Sequence, residues 1–233
     1  MKEYIPLASL ITFCVVLVSG LSYWAGATPE RELAKVTNRS QLSQLNAPLT
    51  PEAYEVYEPI IQNDMNPVAV LETNRGTIEI ELYKHLMPVT AGNFEKLVSE
   101  GFYDGVLFHR VIDGFMIQGG DPITKTAEVL RYGTGGPGYA IQDEHIANDV
   151  LTNTRGTISM ANSGPNSGGS QFFINLGDNS FLDFNKDPLS SKHPVFGRVI
   201  SGMEVVDAIA KVPVSQPANL PLDPVVIERA TLK

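Results

Sequence analysis

The chain has 233 residues, 43% of them hydrophobic and 18% charged, the balance of a folded globular protein and not of a disordered or fibrous one. Its net charge of −9 leaves no basic excess to displace counterions from a nucleic acid or to hold anionic lipid heads. A single cysteine, Cys14, excludes an internal disulfide and a cysteine-based zinc site.

In chain order, residues 5–27 read IPLASLITFCVVLVSGLSYWAGA without one charged side chain. As a helix this run is long enough to cross a bilayer core of about 30 Å. It also suits a cleaved signal peptide, because Ala25-Gly26-Ala27 is a small-x-small site. Tyr23 and Trp24 stand where the interfacial aromatics of a retained anchor would. Both readings export the rest of the chain, to the periplasm or the outer face of the cytoplasmic membrane, and both stay open. Residues 28–67 are polar, rich in Asn, Gln, Ser and Pro, and carry no sustained period; they read as a tether. Residues 68–233 form the third segment, the folded domain.

Within that domain, residues 68–73 read as a strand and Asn74-Arg75-Gly76 as a turn. The next strand, 77–82, alternates strictly, with Ile78, Ile80 and Leu82 on one face. A helix follows, with Thr90 as N-cap candidate, an apolar stripe of Phe94, Leu97 and Val98, and Gly101 as its stop. Further strands are expected at 157–161, 171–175, 195–200 and 225–232. A second helix is expected over 203–210, with Met203, Val206 and Ile209 on one face. Short strands between Gly- and Asn-rich turns favour a β-barrel or sandwich over a βαβ sheet.

Three motifs carry less than their letters promise. Residues 133–138 satisfy G-x-G-x-x-G, but no helical period follows Gly138, so no pyrophosphate would meet a helix N-terminus there. A glycine-rich loop at a groove edge is the simpler reading. Asp143-Glu144-His145 reads as a solvated acidic stretch, and Gly168-Gly169-Ser170 lacks the spacing of a nucleophile elbow. No H-x-x-x-H pair exists among His85, His109, His145 and His193, and no metal or cofactor is expected.

The chemistry is carried by three blocks: FHRVIDGFMIQGGD at 108–121, MANSGPNSGGSQFFIN at 160–175 and HPVFG at 193–197. In these blocks, and in their order, the chain resembles the cyclophilin family of peptidyl-prolyl cis-trans isomerases in its bacterial form. The resemblance covers residues 68–233. It implies a mainly β fold, a closed eight-stranded antiparallel barrel capped by two α-helices, with a substrate groove on the outer surface. It implies rotation about X–Pro bonds of proline-containing polypeptides folding outside the cytoplasm. A monomer is expected, in contact with the membrane only through residues 5–27 if these are retained. The alternative expectation is a catalytically silent module, tethered to the membrane, that binds proline peptides or acts as a chaperone.

By the same resemblance Arg110 is the catalytic arginine. Phe115, Met116, Phe173 and Leu182 match the apolar pocket for the proline ring. Gln118, Ala161, Asn162 and Gln171 match positions along the substrate backbone, and His193 matches the pocket rim. Outside this context Arg110 would read as a surface salt-bridge residue and the apolar set as plain core. His109 is expected to point away from Arg110, as neighbours in a strand do. Two departures stand out. Phe181 occupies the position of the family's drug-binding tryptophan, which weakens the expectation of tight cyclosporin binding. The run of ten residues 183–192 between Leu182 and His193 is longer than in the shortest members.

Overall fold

The computed structural model describes residues 65–146, 151–184 and 192–233. The apolar segment 5–27 and the tether up to residue 64 lie outside the described residues, as does most of the run between Leu182 and His193. Among the described residues no helix is long and apolar enough to cross a membrane.

The alternating segment folds as expected. Strand β1 (Val68–Thr73) pairs antiparallel with β2 (Gly76–Leu82) through the Asn74-Arg75 turn, and Ile78, Ile80 and Leu82 are all fully buried. Helix α1 (Thr90–Ser99) lays Phe94, Leu97 and Val98 on the core. Its C-terminus closes by bonds from Gly101 N–H to the Val98 carbonyl and from Phe102 N–H to the Leu97 carbonyl. The N-terminus departs from expectation. Thr90 is the first helical residue and not the cap, and its buried hydroxyl has no partner among the described residues. The cap comes from 54 residues away: one Glu144 oxygen accepts the N–H groups of Val89 and Thr90, each at 3.0 Å. Glu144, read as solvated, is 3% exposed. Two orphan donors at the positive end of a helix are a better environment for a carboxylate than an apolar core would be.

Strands β3 (Arg110–Ile112) and β4 (Met116–Gly119) form a hairpin absent from the sequence reading. Its signal was present: Asp113-Gly114 between apolar residues is strong hairpin chemistry, and Gly114 takes a φ of +71°. Strands β5 (Thr157–Met160), β6 (Phe172–Asn175) and β7 (Val195–Ser201) follow, then α2 (Met203–Ala210), the short pair β8 (Val214–Ser215) and β9 (Leu220–Pro221), and finally β10 (Ile227–Leu232). In α2, Val206 and Ile209 are buried and Met203 is partly so.

Eight strands form one antiparallel sheet in the order β10-β1-β2-β7-β5-β6-β4-β3. The expected closed barrel is corrected here: the ladder is a half-barrel with β3 and β10 as its edges. β3 does not pair with β10; the outward N–H of Val111 is instead taken by the Asn219 carbonyl, in the turn between β8 and β9. The edges are tied instead by the residues before β3. Phe108 N–H donates to the Val225 carbonyl and Gly105 N–H to that of Ile227, beside a single bridge between Leu107 and Val226. The core fills the concave side. Phe94 of α1 stands at its centre, 4.9 Å from the Tyr103 ring, 5.2 Å from Phe196 and 5.3 Å from Phe172.

Candidate active site

Alternation along the β3–β4 hairpin decides which side chains face out. Val111 and Ile117 pair across the hairpin and enter the core, so their neighbours Arg110 and Gln118, themselves paired, look outward. Arg110 is exposed and the partly buried Gln118 stands beside it; Arg110 Nη1 donates to Gln118 Oε1 at 3.3 Å. His109 points the other way, as expected. It is 5% exposed, and its ring nitrogens meet no partner among the described residues.

Next to Arg110 lies a cavity of about 250 Å³, lined by Arg110, Phe115, Met116, Gln118, Ala161, Asn162, Phe173, Leu182 and His193. Nine of the eleven site residues expected from sequence therefore meet in one place, from five separate stretches of chain, and Gln171 and Phe181 do not. Phe115 comes from the β3–β4 turn, Met116 and Gln118 from β4, and Phe173 from β6. Ala161 and Asn162 leave β5, and Leu182 ends the 3₁₀ turn Ser180–Leu182. Gln171 does not line this cavity; it donates and accepts one step away, holding Gln118. Phe181 stands outside it, 59% exposed, with its ring stacked at 6.1 Å on that of Phe115. A flat phenyl at this place extends the apolar wall outward but lacks the N–H donor of an indole.

The rim histidine is held on several sides. His193 Nδ1 lies 3.0 Å from the Met160 carbonyl, and its ring meets Phe173 edge to face at 5.3 Å. Asn153 donates to its carbonyl at 3.0 Å, and its own N–H reaches the Leu182 carbonyl at 3.1 Å. Burial lowers its pKa, while the bond to Met160 and the Asp143 charge act in the opposite direction. Asn162 spends its side-chain donor on the Lys192 carbonyl at 2.7 Å. The longer run before His193 thus leaves the histidine seated at the cavity.

A second cavity of about 600 Å³ adjoins the first and shares Gln118, Ala161 and Asn162 with it. Residues 133–138 form one side. The G-x-G-x-x-G match is thus a groove edge. A 3₁₀ turn, Val129–Arg131, precedes it and no helix follows. Among the described residues no group of three or more His, Cys, Asp or Glu side chains could hold a metal. The groove offers one cationic donor, an apolar pocket, and amides that both donate and accept. Such a set can seat a peptide, and among the residues lining it no nucleophile stands with an adjacent base.

A model of the cyclophilin type peptidyl-prolyl cis-trans isomerase family matches residues 68–232. The chain belongs to this family. A peptidyl-prolyl cis-trans isomerase of Acinetobacter baylyi is 46% identical over 172 residues, covering 72% of this chain and 86% of the relative. Peptidyl-prolyl cis-trans isomerase B of Streptomyces anulatus is 40% identical, covering 71% and 95%. Among solved structures, a Cryptosporidium parvum cyclophilin, crystallised in the presence of the dipeptide Ala-Pro, superposes with a TM-score of 0.60. It is 30% identical and covers 71% of this chain and 98% of its own. The chain is a cyclophilin-type peptidyl-prolyl cis-trans isomerase.

The sequence reading missed two buried acids that support the site. Asp121 lies under the glycine loop, with its oxygens on the N–H groups of Ile123, Gly133 and Gly135. Asp183 lies behind the rim, accepting from Thr152, from the side chain of Asn153 and from its N–H. No spacing rule flags either; both are bonded across loops. Only the motif blocks that contain or adjoin them could have drawn attention.

Proposed function

We propose that this cyclophilin accelerates X–Pro isomerisation in polypeptides folding outside the cytoplasm, with Arg110 as the catalytic residue. The substrate proline ring enters the pocket of Phe115, Met116, Phe173 and Leu182. Gln118, Ala161, Asn162 and Gln171 hold the flanking backbone, and His193 closes the rim. Rotation must pass a barrier of about 18–20 kcal/mol in an ordinary peptide because the nitrogen lone pair is delocalised. When the amide twists, the lone pair returns to the prolyl nitrogen and can accept a hydrogen bond. A guanidinium donating there favours the twisted form over both planar ones, which is the differential binding that catalysis requires.

What supports this reading is that Arg110 and the apolar wall line one cavity, so a ring seated against that wall can bring its nitrogen within reach of the charge. One such bond contributes about 1.5–3 kcal/mol, against about 7 kcal/mol for a 10⁵-fold acceleration. The rest must come from holding the ring and one flanking peptide while the other turns. Export rests on the uncharged run 5–27; intact mass and protease accessibility of the mature chain in cells would separate cleaved signal, retained anchor and no export.

The test is X–Pro exchange in a short peptide, followed by NMR. Arg110→Ala should lower kcat/KM by roughly 10- to 100-fold with the fold intact. Undiminished exchange in that variant would overturn the mechanism. Peptide binding without acceleration by the parent chain would favour the silent binding module instead.

A further inference from the structure

Between Arg110 and the interior runs a line of hydrogen bonds with a fixed polarity. Gln171 Nε2 donates to the carbonyls of Gly133 (2.9 Å) and Gly135 (2.8 Å). A carbonyl only accepts, so these two determine which end of the Gln171 amide faces the loop. Its Oε1 is thereby turned to Gln118, whose Nε2 donates to it at 3.0 Å. That in turn leaves Gln118 Oε1 facing Arg110, which only donates. With the loop carbonyls turned away, either amide could flip, and Gln118 would present an NH₂ group to a guanidinium.

The loop carbonyls are themselves held from below. Asp121 is fully buried and lines neither cavity. Its Oδ2 accepts the N–H groups of Gly133 (2.5 Å) and Gly135 (3.2 Å), the same two residues whose carbonyls face Gln171, and its Oδ1 accepts the Ile123 N–H at 2.8 Å. The fit leaves no slack: a Cβ on Gly135 would sit 2.2 Å from Asp121 Oδ1. A carboxylate is the one side chain that offers acceptors on both oxygens and no donor.

We propose that Asp121 is a positioning residue for the isomerase reaction. By clamping Gly133 and Gly135 it fixes the amide orientations of Gln171 and Gln118, and with them the guanidinium of Arg110. This rests on Arg110 being the catalytic residue, as proposed above.

The experiment measures kcat and KM for X–Pro peptide exchange in the full chain. It compares the parent with Asp121→Ala, Asp121→Asn, Arg110→Ala and the doubles that join each Asp121 change to Arg110→Ala. Asp121→Asn keeps the side chain's size but replaces one acceptor by a donor, so it serves where the alanine variant fails to fold. In a folded Asp121 variant kcat should fall roughly tenfold, the scale of a small displacement of a catalytic group. In the Arg110→Ala background the same change should cost almost nothing. A merely structural Asp121 would lower stability without this dependence on Arg110. Parent kcat in a folded Asp121 variant, or a loss that persists in full without Arg110, would overturn the proposal. Full turnover in Arg110→Ala alone would instead overturn the reading on which it rests.

Discussion

Three histidines near the site share one perturbation. Burial lowers the pKa of His109, with the Asp121 carboxylate and then the Leu107 backbone acting the other way and Arg110 adding to the lowering. Burial is also the main cause at His145 and His193, and it lowers both. Each therefore binds its proton less readily in the folded chain than in the unfolded one, where the ordinary value is 6.5. Above that value neither state holds the proton and the stability is complete. As the pH falls below it, the unfolded chain gains protons first and stability declines. The urea midpoint should thus drop between pH 7.5 and 5.5, and His109→Phe should flatten the drop. A midpoint that does not move with pH would refute this account. Catalysis should respond differently: with a charged arginine and neutral histidines, kcat/KM should be nearly level from pH 6.5 to 8. Arg110, Phe115, Met116 and their partners were legible because they occur in contiguous blocks. The environment of His109 was not, since it depends on a loop that returns 24 residues later.

Among the elements, α1 shows what a local reading can and cannot reach. Its apolar stripe follows from side chains three and four apart, and the stripe is buried as expected. Its cap is not local. A threonine before an apolar run is ordinary N-cap chemistry, yet Thr90 is inside the helix and Glu144 supplies the acceptor. Sequence rules weigh neighbours, and Glu144 is no neighbour until the chain folds. Because both N–H groups are held by one buried charge, Glu144→Ala should cost about 1.5–3 kcal/mol, the range for hydrogen bonds to charged groups. Glu144→Gln should cost less, since its amide oxygen still accepts. Chemical denaturation of the two variants checks the order, and an alanine variant as stable as the parent would show that water replaces the cap. The β3–β4 hairpin is the opposite case: Asp113-Gly114 made it readable locally. Only the shortness of its strands, three and four residues, kept it from standing out.

For the molecule as a whole, most of the strands and both helices followed from pattern; the antiparallel barrel capped by helices followed from the family resemblance, and its closure is the part the sheet does not show. Whether a sheet meets itself depends on which groups compete for its edge. Here Asn219 takes the Val111 N–H that a closed ladder would need. Among the described residues the half-barrel nonetheless holds one continuous hydrophobic core. Every buried apolar residue described lies between Ala69 and Ala230, and the family match spans 68–232. The C-terminus is fastened within the same unit, with Lys233 N–H on the Val68 carbonyl at 2.9 Å and its ammonium on Glu79. Hydrophobic burial is the dominant favourable contribution to folding, so a chain beginning at Met65 keeps the described core and the groove beside Arg110. It should unfold at the same temperature as the full chain and exchange X–Pro peptides at the same kcat/KM. Calorimetry and NMR exchange on the two chains side by side make the comparison. A shortened chain that melts lower or turns over more slowly would mean that residues 1–64 contribute to the stability or the activity of the enzyme.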